Sequence, residues 1–178
     1  MKSVLVIVDM QNDFITGSLA NDAALKIIPN IKAEVESGKY ECIIFTRDTH
    51  FDNYLETQEG KNLPVNHCIE NTWGWEICDE LNFANFNKAK VFYLQKDSFG
   101  SNQWKSFLES NEIEQTAKIT FVGTCTDICV VSNVLCVKAA FPEAQIMCIE
   151  SCCAPLMGSK AKQDAALEIM KSCQISVI

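Results

Sequence analysis

The chain has 178 residues, of which 48% are hydrophobic and 21% charged, and its formal net charge is −8 at neutral pH. That length and apolar content suit the core of a single domain spanning 1–178. An acidic excess with no offsetting Lys/Arg cluster argues against a nucleic-acid or anionic-membrane surface and for small-molecule work. The first apolar run, 4–8, is too short for a signal peptide or a membrane span and leads straight into Asp9, so a cytosolic protein is expected.

In chain order, the run at 4–8 reads as a strand, 22–37 as a helix and 42–45 as a second strand. A long irregular stretch, 48–71, follows, and a loop of that length inside a compact domain usually carries function. Then come a helix-length segment at 73–81, a strand at 90–94, a helix at 103–109, a strand at 119–122 and a helix at 126–140. A strand at 146–149, a helix at 159–172 and a strand at 175–178 complete the chain. Several strand runs are near-continuous and β-branched, the pattern of strands buried on both faces. Strand–helix alternation of this kind predicts an α/β fold: a doubly wound, Rossmann-like parallel sheet of about six strands with helices on both faces.

Ten cysteines in a chain with no export signal and an ample core read as reduced thiols rather than a disulfide framework. Cys42, Cys136, Cys148 and Cys173 lie in apolar segments, where cysteine acts as a small buried hydrophobe. No C-x-x-C pair offers a zinc knuckle, and the adjacent Cys152 and Cys153 have no assigned role.

Ligands of open α/β sheets bind beyond the carboxyl ends of the strands. Those ends carry Asp9, then Asp48 and His50, then Lys96, then the stretch VGTCTDICVVSN. An acid, a lysine and a cysteine thus converge on one edge. Cys129 falls in the first turn of the helix that begins near Thr126, where the dipole and a nearby cation favour a thiolate, whereas Cys125 precedes that turn. The geometry nominates Cys129 as nucleophile and leaves Cys125 to contribute backbone.

The chain has only two histidines, His50 and His67, both in the long loop, and His50 follows Asp48 by two residues. Two imidazoles and a carboxylate make a plausible site for a divalent metal with open positions for water or substrate. Glu59 is the first choice to complete the shell and Glu56 the second.

The order and spacing of IVDMQNDF, TRDTH, NHCIENTWGWE, QKDSF and GTCTDICV resemble those of the isochorismatase-like cysteine hydrolases, within them the nicotinamidase branch, over nearly the whole chain. The resemblance implies a triad in which Asp9 takes the thiol proton, Lys96 steadies negative charge and Cys129 attacks an amide carbonyl. It also implies a cis bond between Thr124 and Cys125, with the amides of Cys125 and Cys129 forming an oxyanion hole. The matching Asp48, His50 and His67 would hold a divalent ion, zinc first, with iron or manganese as alternatives. The implied reaction is hydrolysis of nicotinamide to nicotinate and ammonia through a thioester. Phe14 matches a pocket-lining position, and Phe99 and Trp73 are apolar candidates for the ring. The chain departs from the branch at Pro64, where many nicotinamidases have tryptophan, and in a shorter segment after the lysine. Two other readings stay open, a hydrolase of another small amide or carbamoyl compound and a binding or thiol redox-sensing module; a homo-oligomer also stays open.

Overall fold

The computed structural model describes residues 2–82 and 84–178. Six parallel strands form one sheet in the order β3-β2-β1-β4-β5-β6: β1 Ser3–Val8, β2 Cys42–Asp48, β3 Lys90–Lys96, β4 Lys118–Thr124, β5 Gln145–Ala154 and β6 Ser176–Val177. The apolar period of two explains how β1 serves both faces of the sheet. Val4, Val6 and Val8 pack with Trp104, Leu108, Val134, Val137, Leu167 and Met170 on one side. Leu5 and Ile7 pack with Ala24, Ile27, Ile28, Ile31 and Leu81 on the other.

The helices are α1 Asn12–Ile15, α2 Asp22–Glu36, α3 Gln58–Asn62, α4 Asp79–Asn82, α5 Trp104–Ser110, α6 Val131–Ala140 and α7 Lys160–Ser172, of which all but α3 supply these faces. The start of α2 is capped by Asn21, whose side chain accepts from the Ala23 amide at 3.1 Å, satisfying one of the unpaired first-turn donors. Among the described residues, no helix is long and apolar enough to cross a membrane.

Three expectations are corrected. The segment 73–81 is not one helix. A 3-10 turn at Trp73–Trp75 gives way to extended backbone at Glu76, and α4 starts only at Asp79. Pairing with the end of β1 replaces the local helix: Asn12 N donates to Glu76 O at 2.9 Å, Cys78 N donates to Met10 O at 3.0 Å, and Gln11 and Ile77 form an antiparallel bridge. The loop at 48–71 is only partly irregular, since it contains a 3-10 turn at Tyr54–Glu56 and α3. Strand β5 runs five residues past the expected 149, through a bulge between the pairs Phe121–Cys148 and Gly123–Cys153. The bulge accounts for the adjacent cysteines: the Cys148 and Cys153 sulfurs lie 3.6 Å apart within the core. All ten cysteines are free, Cys42 and Cys148 are buried, and Cys136 and Cys173 are only partly so.

The chain winds outward from β1 through β2 to β3, then returns to place β4 on the other side of β1. The reversal leaves a crevice above the carboxyl ends of β1 and β4. Gly123, with φ 124, allows β4 to approach β1 there, because a Cβ would strike the Val8 carbonyl oxygen.

Candidate active site

Asp9 is the residue just past β1, and its backbone is left-handed at φ 50, a conformation that Asp tolerates better than most residues. Thr46 of β2 secures it twice: Asp9 N donates to Thr46 Oγ1 at 3.1 Å, and that hydroxyl donates to Asp9 Oδ1 at 2.6 Å. Lys96 ends β3, two strands away, and parallel register places it opposite Asp48. Its long side chain crosses β2, so that Nζ lies 2.7 Å from Asp9 Oδ2, 3.1 Å from Asp48 Oδ1 and 3.9 Å from Cys129 Sγ. Asp9 Oδ2 is held in a close ion pair with Lys96 and has no other polar partner among the described residues.

Cys129 is carried on a π turn, Thr126–Val130, in which the Val130 amide reaches back five residues to the Cys125 carbonyl at 3.0 Å. One wide turn of this kind re-aims side chains at a helix start and is frequent at functional sites. Asn133, fully buried one turn later, donates to Cys129 O at 2.8 Å and to Phe99 O at 2.9 Å, while Trp104 Nε1 donates to its Oδ1 at 2.8 Å. The Thr124–Cys125 peptide bond is cis.

The electrostatics differ from the thiolate expected at Cys129. Burial pushes its thiol well above the ordinary range, and the Lys96 ammonium only partly opposes that. Burial also raises the Asp9 carboxyl, against the pull of Lys96. Burial would lower the Lys96 pKa, but the Asp9 and Asp48 carboxylates oppose it and keep the ammonium charged. The resting arrangement is therefore a thiol beside a carboxylate–ammonium pair. Lys96 Nζ links the two other groups, 2.7 Å from Asp9 Oδ2 and 3.9 Å from Cys129 Sγ, so a carboxylate and a thiol share one ammonium.

Asp48 also faces a second cluster. One ligand atom from each of Asp48, His50, Glu59 and His67 lies within 4.8 Å of the other three. His50 Nε2 is 3.1 Å from Asp48 Oδ2, and His67 Nε2 is 3.6 Å from the same oxygen and 3.8 Å from Glu59 Oε1. The Nδ1 of His67 is 2.8 Å from the Val65 carbonyl, an arrangement that turns Nε2 toward the carboxylates, as outer partners of metal-bound histidines do. Burial would raise the Asp48 carboxyl, but Lys96 and the two histidines together hold it well below the ordinary carboxylate range. Burial and Asp48 raise the Glu59 carboxyl. Three carboxylates face one lysine in this buried space, so two imidazoles and two oxygens fit a divalent cation by charge as well as by donor type. Glu56, the second choice for the shell, is not in the cluster.

These groups open into a cleft of about 500 Å³. Phe14 and Phe99 line it, as do Cys125, Cys129, Asp48, Glu59 and His67, and the Phe14 ring is tilted 5.6 Å from that of His67. Trp73 does not line it: its side chain is 63% exposed, and it meets the site only through its carbonyl, which accepts from Asn12. Three positioning residues were missed from sequence. Thr46 looks like any inward strand residue. Gln11, which donates to Asp48 O and Trp75 O and accepts from Asp48 N, each at 2.8 Å, and Asn133 were visible only as polar residues inside the quoted motifs.

A model of the isochorismatase domain matches residues 3–178. The chain is 28% identical over 169 residues to a nicotinamidase of Schizosaccharomyces pombe, covering 74% of each chain. Its fold is similar to that of the pyrazinamidase of Pyrococcus horikoshii in complex with zinc, with TM-score 0.77 and 23% identity over 100% of this chain and 99% of that one. It is also similar to PnC1 from L. infantum in complex with nicotinate, with TM-score 0.80 and 17% identity over 99% and 92%.

Proposed function

The chain belongs to the isochorismatase family and is a hydrolase acting on amide bonds; from that premise we propose that it is a cysteine amidohydrolase which converts nicotinamide to nicotinate and ammonia. The observation that carries this reading is the convergence of Asp9, Lys96 and Cys129 in one buried cluster behind the cleft wall, beside a four-residue donor set for a divalent ion. Asp9 takes the Cys129 proton, and the sulfur adds to the carboxamide carbon. The backbone amides of Cys125 and Cys129 hold the oxyanion. Asp9 returns the proton to the leaving nitrogen, ammonia departs, and a thioester remains. Water, deprotonated by Asp9, then cleaves the thioester and restores the thiol. Lys96 stays protonated throughout and offsets the charge on Asp9 and sulfur.

Asp48, His50, Glu59 and His67 would hold the ion, zinc by donor type, with iron or manganese compatible. When bound it supplies a Lewis-acidic coordination position beside the nucleophile. The cytosol is the setting this reading implies. Agreement with the S. pombe nicotinamidase, with the nicotinate complex and with the zinc-bound pyrazinamidase supports it. The deciding experiment measures ammonia release from nicotinamide, pyrazinamide, benzamide and aliphatic amides, with metal content determined in the same preparation. Nicotinamide or pyrazinamide should exceed benzamide and the aliphatic amides by at least about tenfold in kcat/KM, the discrimination one polar contact supplies. Equal rates on all of them would replace this reading with a general amidase.

A further inference from the structure

A single ring with one carboxamide fills only part of the cleft. At about 500 Å³, the space lies within the roughly 300–1,000 Å³ that takes drug-sized ligands. Its chemistry is also divided. Cys129, Asp48 and His67 at the inner end are buried, whereas the outer wall is built from Leu19, Ala20, Ile128, Leu156 and Met157, all partly or well exposed. Met157 is 87% exposed.

That wall is fixed before any ligand arrives. Buried Asn21 donates from Nδ2 to Pro155 O at 2.9 Å, which joins the loop before α2 to the strap before α7, while its Oδ1 caps α2. The Leu156 amide donates to Asp127 Oδ1 at 2.8 Å, which ties the strap to the turn that carries Cys129. The Asn21 amide and the Leu156 N–H are thus already paired. What it presents to the cleft is aliphatic surface and a thioether, continuous with the nucleophile, and covering such surface with an apolar group is favourable.

We infer that the outer wall is a subsite for an apolar substituent, so that the preferred substrate is an aromatic carboxamide with an alkyl or aryl extension on the ring edge remote from the amide, rather than bare nicotinamide. The inference rests on the carboxamide hydrolysis proposed above. Its test is kcat/KM, by ammonia release, for nicotinamide and for nicotinamides with methyl, propyl or phenyl at ring carbon 5 or 6. The proteins are metal-loaded wild type, Met157→Asp and Leu19→Asp. Aspartate suits position 157, where φ is 52, and the exposed side chain makes a folding defect easy to exclude by an unchanged melting curve.

In wild type the best propyl or phenyl amide should exceed nicotinamide by about tenfold or more, mainly through a lower KM, as one or two buried methylenes supply. Either variant should cut that preference at least about threefold, since a carboxylate now faces the substituent. Wild type that hydrolyses nicotinamide as well as or better than every extended amide overturns the subsite and leaves the carboxamide reading standing. A preference that survives in both variants overturns the assignment of the wall. Protein inactive on every amide removes the carboxamide reading itself, and this inference with it.

Discussion

Two clusters share Asp48, and the chain holds them in different ways. Asp9 and Lys96 sit at the ends of strands β1 and β3, and Cys129 on the turn after β4; they are placed by the register of a sheet whose central residues are fully buried. His50, Glu59 and His67 come from the segment between β2 and the Trp73–Trp75 turn, which contains only a 3-10 turn and a five-residue helix. That segment is tied down by a few bonds: His50 N to Cys68 O at 2.9 Å, Glu70 N to His50 O at 2.8 Å, Cys68 N to Asp13 Oδ2 at 2.8 Å and Tyr54 hydroxyl to Leu63 O at 3.0 Å. The side proposed to carry the nucleophile inherits the stability of the core, whereas the side proposed to hold the ion depends on local bonds and would be further secured by a cation that offsets its carboxylates. Opening free energies should differ accordingly, lowest in the loop.

The largest effect should separate the two cysteines. Cys129→Ala is expected to lower turnover by roughly a thousandfold or more, as loss of a covalent nucleophile does, and Cys125→Ala should retain much of it. Similar losses in initial-rate assays would erase the distinction between the sulfur that reacts and the one beside it. Asp48→Ala comes next, because it strikes both clusters. Lys96 keeps Asp9 at 2.7 Å, so losing its second carboxylate should cost about 1.5–3 kcal/mol in urea unfolding, the scale of one hydrogen bond to a charged group, and divalent-ion binding should be lost in the same protein. If stability falls but metal stoichiometry is unchanged, the clusters do not share this residue functionally.

Glu59→Gln confines the perturbation to the loop. Divalent-ion affinity, read by chelator competition, should fall at least about tenfold, the scale of losing even an outer partner of a metal ligand, and the melting temperature of the ion-free protein should hardly change. A stability loss as large as that of Asp48→Ala would mean that the loop is as tightly built as the sheet. The gentlest test is pH. The base must be a carboxylate, and burial raises the Asp9 pKa above its ordinary 3.8. The acid limb of kcat/KM should therefore lie above that of a free aspartate, with activity present on the alkaline side and lost as pH falls through the raised value. Thr46→Val removes a hydrogen bond that favours the carboxylate, so it should move the limb further up; a limb that stays in place removes Asp9 as the titrating base.

Much of the scaffold was legible because its signals are local. Continuous apolar, β-branched runs mark where strands lie whatever the rest of the chain does, and Asp9, Asp48 and Lys96 stand where those runs give out. The long loop with both histidines was equally visible as a gap in periodicity. The segment 73–81 misled because Trp73, Trp75, Ile77 and Leu81 supply apolar surface that the period alone does not assign to a helix; hydrogen bonds to Met10 and Asn12, distant in sequence, decide its shape. The same holds for the site. Composition can nominate a cysteine, but the charge state of Cys129 depends on its burial, and no local pattern states how much water a folded chain will exclude. That Lys96 spans β2 to reach Asp9, that Thr46 holds that carboxylate, and that Trp73 lies outside the cleft while Phe14 and Phe99 line it all follow from strand order and packing across dozens of residues. Sequence by itself determined which groups stand at the carboxyl edge; only the tertiary structure decided which of them touch, because contact is set by long-range register and burial, not by spacing along the chain.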